Sequence, residues 1–465
     1  MALIFNSITY DESAFIVRVD PKYYQLQEEL KSFKSNSDVD MCNFGALILN
    51  ITDGEHAGQT FVKNGILFLK NSSIKDFDIS VNDGFYITKR NHNRLARSAI
   101  KSGDILFTTI GHLGSAAIVP EEFCEANMNQ NFVKIQVDAK KINPYYVACF
   151  LNSKFARKQI KALLTGNIQS ILTYPKIRNI KIVFPTDNKR QVAIANKYKE
   201  ATKLSQDAEN KIKKALSIFE SHLKIDKESY PKMFNVSCDD FCNVPMWTVK
   251  AHLPEYVQTE QKIIDNHRYV NLGKITTMRK GDEPGSDSYS DYLDKTVSDV
   301  PFIRTSDIYN YQIDLSPDNF VDNATYKDLS QDVEVGDVIF TKDGKIAECA
   351  MVTESDRAVY QSGIAIIRIN DYGKSIGLTQ EYIFTAMICN KIGKYTADRY
   401  TVTASTIPHL KEHYIKEMKI PLLDESVILE ITHLIKQAFT CIEEKKKLIQ
   451  ECKDMVDDIT GKYFK

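Results

Sequence analysis

Lys101-Ser-Gly-Asp-Ile-Leu-Phe-Thr-Thr-Ile-Gly111 and Val335-Gly-Asp-Val-Ile-Phe-Thr-Lys-Asp-Gly344 are two copies of one pattern in a single chain. In each, Gly-Asp makes a turn, an apolar run too short for a helix follows as a strand, and Thr-x-x-Gly opens a second turn. Weaker matches recur around them in the same order. Val17-Arg-Val-Asp-Pro-Lys-Tyr-Tyr24 returns as Val249-Lys-Ala-His-Leu-Pro-Glu-Tyr256, and Asn43-Phe-Gly45 as Asn271-Leu-Gly273. Gly65-Ile-Leu-Phe-Leu-Lys-Asn-Ser-Ser-Ile74 returns as Val300-Pro-Phe-Ile-Arg-Thr-Ser-Asp-Ile308. The chain is a tandem of two related halves.

Downstream, Asn143-Pro-Tyr-Tyr146 and Leu378-Thr-Gln-Glu-Tyr382 open N-capped helices. Ile177-Arg-Asn-Ile-Lys-Ile-Val-Phe-Pro185 and Ile415-Lys-Glu-Met-Lys-Ile-Pro421 each end in a proline, after which comes a long segment without Gly or Pro. The first carries a heptad seam through Ile194, Tyr198, Ala201, Ile212 and Phe219, the second through Ile431, Ile435, Ile442, Ile449 and Val456, with Lys445 at one seam position. Residues 187–224 hold nine Lys/Arg against five Asp/Glu, and residues 424–458 hold five Lys against nine Asp/Glu, so the helices carry +4 and −4. Matched length, seam and opposite charge predict that they pair, antiparallel if the halves are related by a pseudo-twofold axis. The alternative is that each packs as a solvated amphipathic helix on its own half.

The expected fold is therefore α+β: two globular mixed α/β domains in tandem, separated by two long helices forming an antiparallel coiled-coil spacer. The boundaries read as 1–185 for the first domain, 186–224 for the first helix, 225–246 for a linker, 247–423 for the second domain and 424–465 for the second helix. Composition fits: 465 residues exceed one ordinary domain, and 43% apolar residues with 23 Phe and 23 Tyr can fill two cores. No window approaches the roughly 18 uninterrupted apolar residues of a membrane span, and the start lacks the basic flank of a secretory signal, so a cytoplasmic protein is expected. Nine cysteines without regular spacing (Cys42, Cys124, Cys149, Cys238, Cys242, Cys349, Cys389, Cys441 and Cys452) read as reduced thiols. A formal charge of −1 excludes a uniformly basic coat but not local basic surfaces.

Catalytic patterns are sparse. Asn143-Pro-Tyr-Tyr146 resembles the Asn-Pro-Pro-Tyr motif of amino-methyltransferases, but it lacks the second proline and no Gly-rich cofactor loop precedes it, so a helix start is the better reading. His409-Leu-Lys-Glu-His413 has the spelling of an inverted zinc-protease motif, yet the equivalent stretch around Thr173-Tyr-Pro-Lys-Ile177 has neither His nor Glu. Cys238-Asp-Asp-Phe-Cys242 has no second ligand pair, so both thiols read as small apolar residues at a domain boundary. No Walker loop or nucleophile elbow is present. The carboxylates of Gly336-Asp-Val-Ile-Phe-Thr-Lys-Asp-Gly-Lys345 keep an autonomous nuclease or methyltransferase as one alternative. A coiled-coil protein scaffold is another.

Basic segments point to nucleic acid. Lys89-Arg-Asn-His-Asn-Arg94, continuing through Arg97 to Lys101, has five Lys/Arg and no carboxylate, the alternative reading being a solvated basic loop. Lys and Arg hold phosphates, and Arg and Asn make bidentate contacts to guanine and adenine edges. Candidate DNA contacts are Lys70, Asn71, Lys89, Arg90, Asn91, Arg94, Arg97, Thr108, Thr109 and His112 in the first half. In the second they are Arg279, Lys280, Arg304, Thr341, Lys342, Lys345 and Arg399.

Two halves reading Gly-Asp-[IV]-[LI]-Phe-Thr-x-x-Gly, then Asn-x-x-Tyr or its counterpart and an Ile-rich close before a long helix, resemble the specificity (S) subunit of type I restriction-modification enzymes. Ile51-Thr-Asp-Gly-Glu-His56 and Gly166-Asn-Ile-Gln-Ser-Ile171 also match that family. The second half departs from it, with Thr401-Val-Thr-Ala-Ser-Thr406 in place of the latter and Lys280-Gly-Asp-Glu-Pro284 in place of Asp-Gly-x-His. The resemblance implies two target-recognition domains, each reading half of a bipartite asymmetric site in double-stranded DNA, with the helices as a ruler. It implies no catalytic residue, no metal and no cofactor on this chain. S-adenosylmethionine, ATP and Mg would sit on partners: two DNA adenine methyltransferase (M) subunits and restriction (R) subunits.

Overall fold

The computed structural model describes residues 21–33, 38–81, 85–121, 123, 125–164, 171–225, 230–231, 233–243, 246–283, 300–404 and 406–462. The chain start, the repeat element at Val17, Cys124, Gly166 to Ser170, Pro284 and Ser405 lie outside them. The chain is mixed α/β and divides into two compact units, residues 1–203 with 445–465, and residues 204–444.

In the first unit, Ile48–Asp53, Phe132–Val137, Ile105–Thr108 and Ala116–Ile118 lie in that order across an antiparallel four-stranded sheet. The register puts Ile51, Ile135, Ile105 and Ile118 in one cross-strand row, and all four enter the unit's core. Such rows are the unit of sheet stabilisation. A three-stranded sheet of Phe85–Ile87, Ile66–Leu69 and Ala126–Met128 stands beside a short hairpin, Ile74–Lys75 with Asp78–Ile79. Val39–Asn43 pairs with Lys181–Pro185, the strand that leads into the first long helix, Asn188–His222.

The second unit repeats this plan strand for strand. Thr276–Lys280, Ile364–Ile369, Val338–Thr341 and Cys349–Met351 form its four-stranded sheet, with Met278, Ile367, Val338 and Met351 in the corresponding row. Phe320–Val321, Val300–Ile303 and Val359–Tyr360 form its three-stranded sheet, again with one antiparallel and one parallel pair. The hairpin recurs as Ile308–Tyr309 with Gln312–Ile313, and Tyr269–Asn271 pairs with Lys419–Pro421 ahead of the second long helix, Glu425–Gly461. Val402–Ala404 and Ile407–His409 make a hairpin there as well.

The signature that betrays the duplication closes turns. Gly103 and Gly336 take φ of 83° and 94°, a region that favours glycine. Asp104 and Asp337 are buried and accept the backbone N–H of Lys101 and of Glu334, each at 2.9 Å. At the strand's far end, Thr108 Oγ1 accepts from Ser115 N–H at 2.8 Å and Thr341 Oγ1 from Glu348 N–H at 2.9 Å. Asn143 caps the helix Pro144–Leu151 by accepting from Tyr145 N–H, and buried Tyr146 donates to Val183 O at 2.7 Å. Thr379 and Tyr382 do the same for the helix Gln380–Ile388, with Tyr382 donating to Pro421 O at 2.8 Å.

Each unit builds part of both long helices into its core. In the first, Ile194, Tyr198, Val456 and Cys452 join the sheet residues, with Ile449 packed against them. The helices run antiparallel there: Cys452 Sγ donates to Ile194 O at 3.7 Å, and Lys197 pairs with Glu451 one turn on. In the second, Ile212 and Phe219 join Ile431, Ile435 and Ile442 in one cluster with the sheet. Ala201 is buried as well. Lys445 keeps its seam position because its ammonium reaches Asp78 Oδ2 at 2.5 Å. The seam residues therefore serve helix pairing and domain core together, which a heptad pattern does not distinguish.

Candidate nucleic-acid interface

In the first unit the basic stretch is a helix, Lys89–Arg94, capped by Thr88 Oγ1, which accepts from Asn91 N–H. A 3-10 turn, Ala96–Ser98, follows. His92 and Leu95 are buried, which turns Lys89, Arg90, Arg94 and Arg97 to the solvent side, with Asn91 half-buried. Lys89 pairs with Glu125. Arg90, Arg94 and Lys101 have no acidic partner among the described residues.

Arg97 belongs to an ordered group that the sequence alone does not assemble. Its Nη1 lies 2.9 Å from Asp53 Oδ1, and His56 Nε2 lies 2.8 Å from Asp53 Oδ2. Partial burial pushes the Asp53 carboxyl up, but hydrogen bonding with His56, Arg97 and Tyr174 outweighs it and holds it below the usual carboxylate range. The same hydrogen bond raises the Arg97 guanidinium. Gly54 brings this strand end close to Ala126–Met128, since a Cβ there would stand 2.2 Å from Met128 O. Gly281 does so in the second unit, 2.2 Å from Tyr360 O. Thus Ile51-Thr-Asp-Gly-Glu-His56 presents a guanidinium that is fixed in place and still 63% exposed.

Several expected contacts are corrected by burial. Thr108 and Thr341 are fully buried turn-closing residues, and Thr109 is buried with its hydroxyl donating to Asn131 O at 3.0 Å. Arg399 is buried, donating through Nε to Ala251 O at 2.8 Å and through Nη1 to Glu260 at 2.7 Å. A fold interior tolerates polar groups only when they are bonded, and all four meet that condition. Lys70 is half-buried, its ammonium over the Phe85 ring, and Asn71 and His112 are half-buried in the neighbouring loops.

The second unit's cations are largely spoken for. Arg279 pairs with Asp332, Arg304 with Asp307 and Asp318, Lys342 with Asp343 and Lys345 with Glu348, whereas Lys280 is exposed without an acidic partner among the described residues. His409 and His413 do not converge: His409 Nδ1 lies 2.8 Å from Asp343 Oδ1, and His413 rests on the Tyr414 ring. Asp337 of the carboxylate pair is held by Arg368 Nε at 2.7 Å. Cys238 and Cys242, on the short helix Cys238–Asn243, are exposed, contrary to the small apolar role expected of them. Among the described residues no group of three or more His, Cys, Asp or Glu is placed to hold a metal ion, and no helix is long and apolar enough to cross a membrane.

A mixed α/β unit built twice, with a basic exposed helix in the first copy and a long helix after each, is the class of fold, and part of the chain also resembles known proteins. Residues 48–217 match the type I restriction modification DNA specificity domain. The chain is similar to the S subunit of a type I restriction-modification system from M. genitalium, at 14% identity over 93% of this chain and 98% of that one, with a TM-score of 0.35. It is also similar to the HsdS subunit from Thermoanaerobacter tengcongensis, at 14% identity over 92% and 97%, with a TM-score of 0.31. No curated protein sequence matches it.

Proposed function

We propose that this chain is the DNA-recognition subunit of a type I restriction-modification complex, each unit reading one half of a bipartite, asymmetric target. The observation that carries this reading is the strand-for-strand repetition of one domain, matched over residues 48–217 to a DNA specificity domain, with a long helix after each copy. Two copies with unlike surface residues suit two unlike half-sites. The helices, 35 and 37 residues long, would serve as spacer. At ~1.5 Å per residue each is roughly 50 Å, enough to place two readers more than one ~34 Å turn of DNA apart. The chain itself would be non-catalytic. Two adenine methyltransferase subunits would dock on it and hold S-adenosylmethionine, and restriction subunits would bring ATP and Mg. The test is modified-base sequencing of DNA from cells with and without this gene beside its methyltransferase. A gene-dependent bipartite methylated site supports the reading; an unchanged pattern in cells that assemble the complex overturns it.

A further inference from the structure

The near-zero net charge conceals a division between the two units. Residues 1–203 with 445–465 hold 33 Lys/Arg and 23 Asp/Glu, net +10. Residues 204–444 hold 27 and 38, net −11, so the two sum to the chain's −1. The contrast is sharpest in one segment that both units build alike, running from the edge strand of the three-stranded sheet to the Gly-Asp turn. In the first unit, residues 85–104 carry Lys89, Arg90, Arg94, Arg97 and Lys101 against Asp104, net +4. In the second, residues 320–337 carry Lys327 against Asp322, Asp328, Asp332, Glu334 and Asp337, net −4. The helix of this segment is Lys89–Arg94 in one unit and Asn323–Leu329 in the other.

Resting on the DNA-recognition reading, we infer that the two units divide the work unequally: the first is the phosphate anchor, and the second binds its half-site with little counterion release. Phosphate contacts supply the salt-dependent share of affinity, at a slope of about 0.9 per phosphate neutralised. Cations already paired inside the protein have less to offer a phosphate, and that is the state of Arg279, Arg304, Lys342 and Lys345. Arg90 and Arg94 are exposed and have no such partner among the described residues. An acidic reader also repels DNA at long range, so the second unit engages only after the first holds the duplex.

The experiment is the salt dependence of binding of the assembled complex to a 40-base-pair duplex of arbitrary sequence, by fluorescence anisotropy at several salt concentrations. Arg90→Gln with Arg94→Gln is compared with Lys327→Gln with Arg357→Gln, exposed cations of the corresponding helix and its neighbouring loop. The first pair is expected to lower the slope of log K against log salt by about 1.8, the second by less than about 0.5. Equal losses, or an unchanged slope in the first pair, would overturn the division of labour while leaving DNA recognition standing. A wild-type complex that binds without salt dependence would bring down both.

Discussion

Tyr198 offers the most exacting stability test. Its ring is buried edge-on to Phe77 at 5.3 Å and Tyr145 at 5.5 Å, and its hydroxyl accepts from Ile118 N–H and donates to Phe77 O, each at 3.1 Å. One side chain of the first long helix thus ties together the edge of the four-stranded sheet and the tip of the hairpin, where Phe77 takes φ of 65°. Tyr198→Phe keeps the ring and removes only the oxygen. It leaves a buried donor and a buried acceptor unpaired, each costing about 1–3 kcal/mol, so roughly 2–4 kcal/mol together after allowing for relaxation. At about 1.4 kcal/mol per tenfold, amide exchange across residues 105–118 should quicken roughly 30- to 700-fold. Hydrogen exchange by mass spectrometry on the full chain reads this directly, with residues 338–351 of the second unit as an internal control. Exchange within about threefold of wild type would mean that the hydroxyl anchors nothing.

The Gly-Asp turns supply a second test, because buried Asp104 is satisfied by Gln136 Nε2 at 2.7 Å whereas buried Asp337 is satisfied by Arg368 at 2.7 Å from the equivalent strand position. Arg368→Leu should strand a buried carboxylate at a cost of about 3–5 kcal/mol, while Arg368→Gln, copying the first unit, should cost well under half of that; urea unfolding followed by exchange at residues 338–341 separates the two. Alkaline stability is a third. Burial pushes Tyr198, Tyr146, Tyr360 and Tyr382 up, and Tyr256, Tyr311 and Tyr400 up to about 12. An unfolded tyrosine ionises near 10, so the stability these groups contribute is whole below pH ~10 and is lost as pH rises through about 12. Tyrosinate absorbance should then appear together with loss of circular dichroism; tyrosines that all titrate near 10 in a folded chain would contradict it.

The duplication was legible because its signature is made of residues whose type the backbone demands. Gly103 and Gly336 need positive φ, Asp104 and Asp337 must accept a turn N–H, and Asn143 and Thr379 must cap a helix. The long helices were legible from their seams, but not that the same residues also fill the domain cores, since Ile212 looks alike to either partner. The candidate site was legible where charge runs in sequence, as in Lys89–Arg94. It was obscured where partners are distant: Arg97 meets Asp53 from 44 residues away, and Arg279 meets Asp332 from 53. Thr108 and Thr341 misled because a motif can be informative about the fold while touching no ligand.

Exchanging residues 50–180 for those of a homologous chain of different specificity, followed by modified-base sequencing of cells that express the complex, tests the central claim most directly. The expected result is a methylated site in which one half changes while the other half and the spacing are retained. A site changed in both halves, or in neither, would contradict two units that read independently.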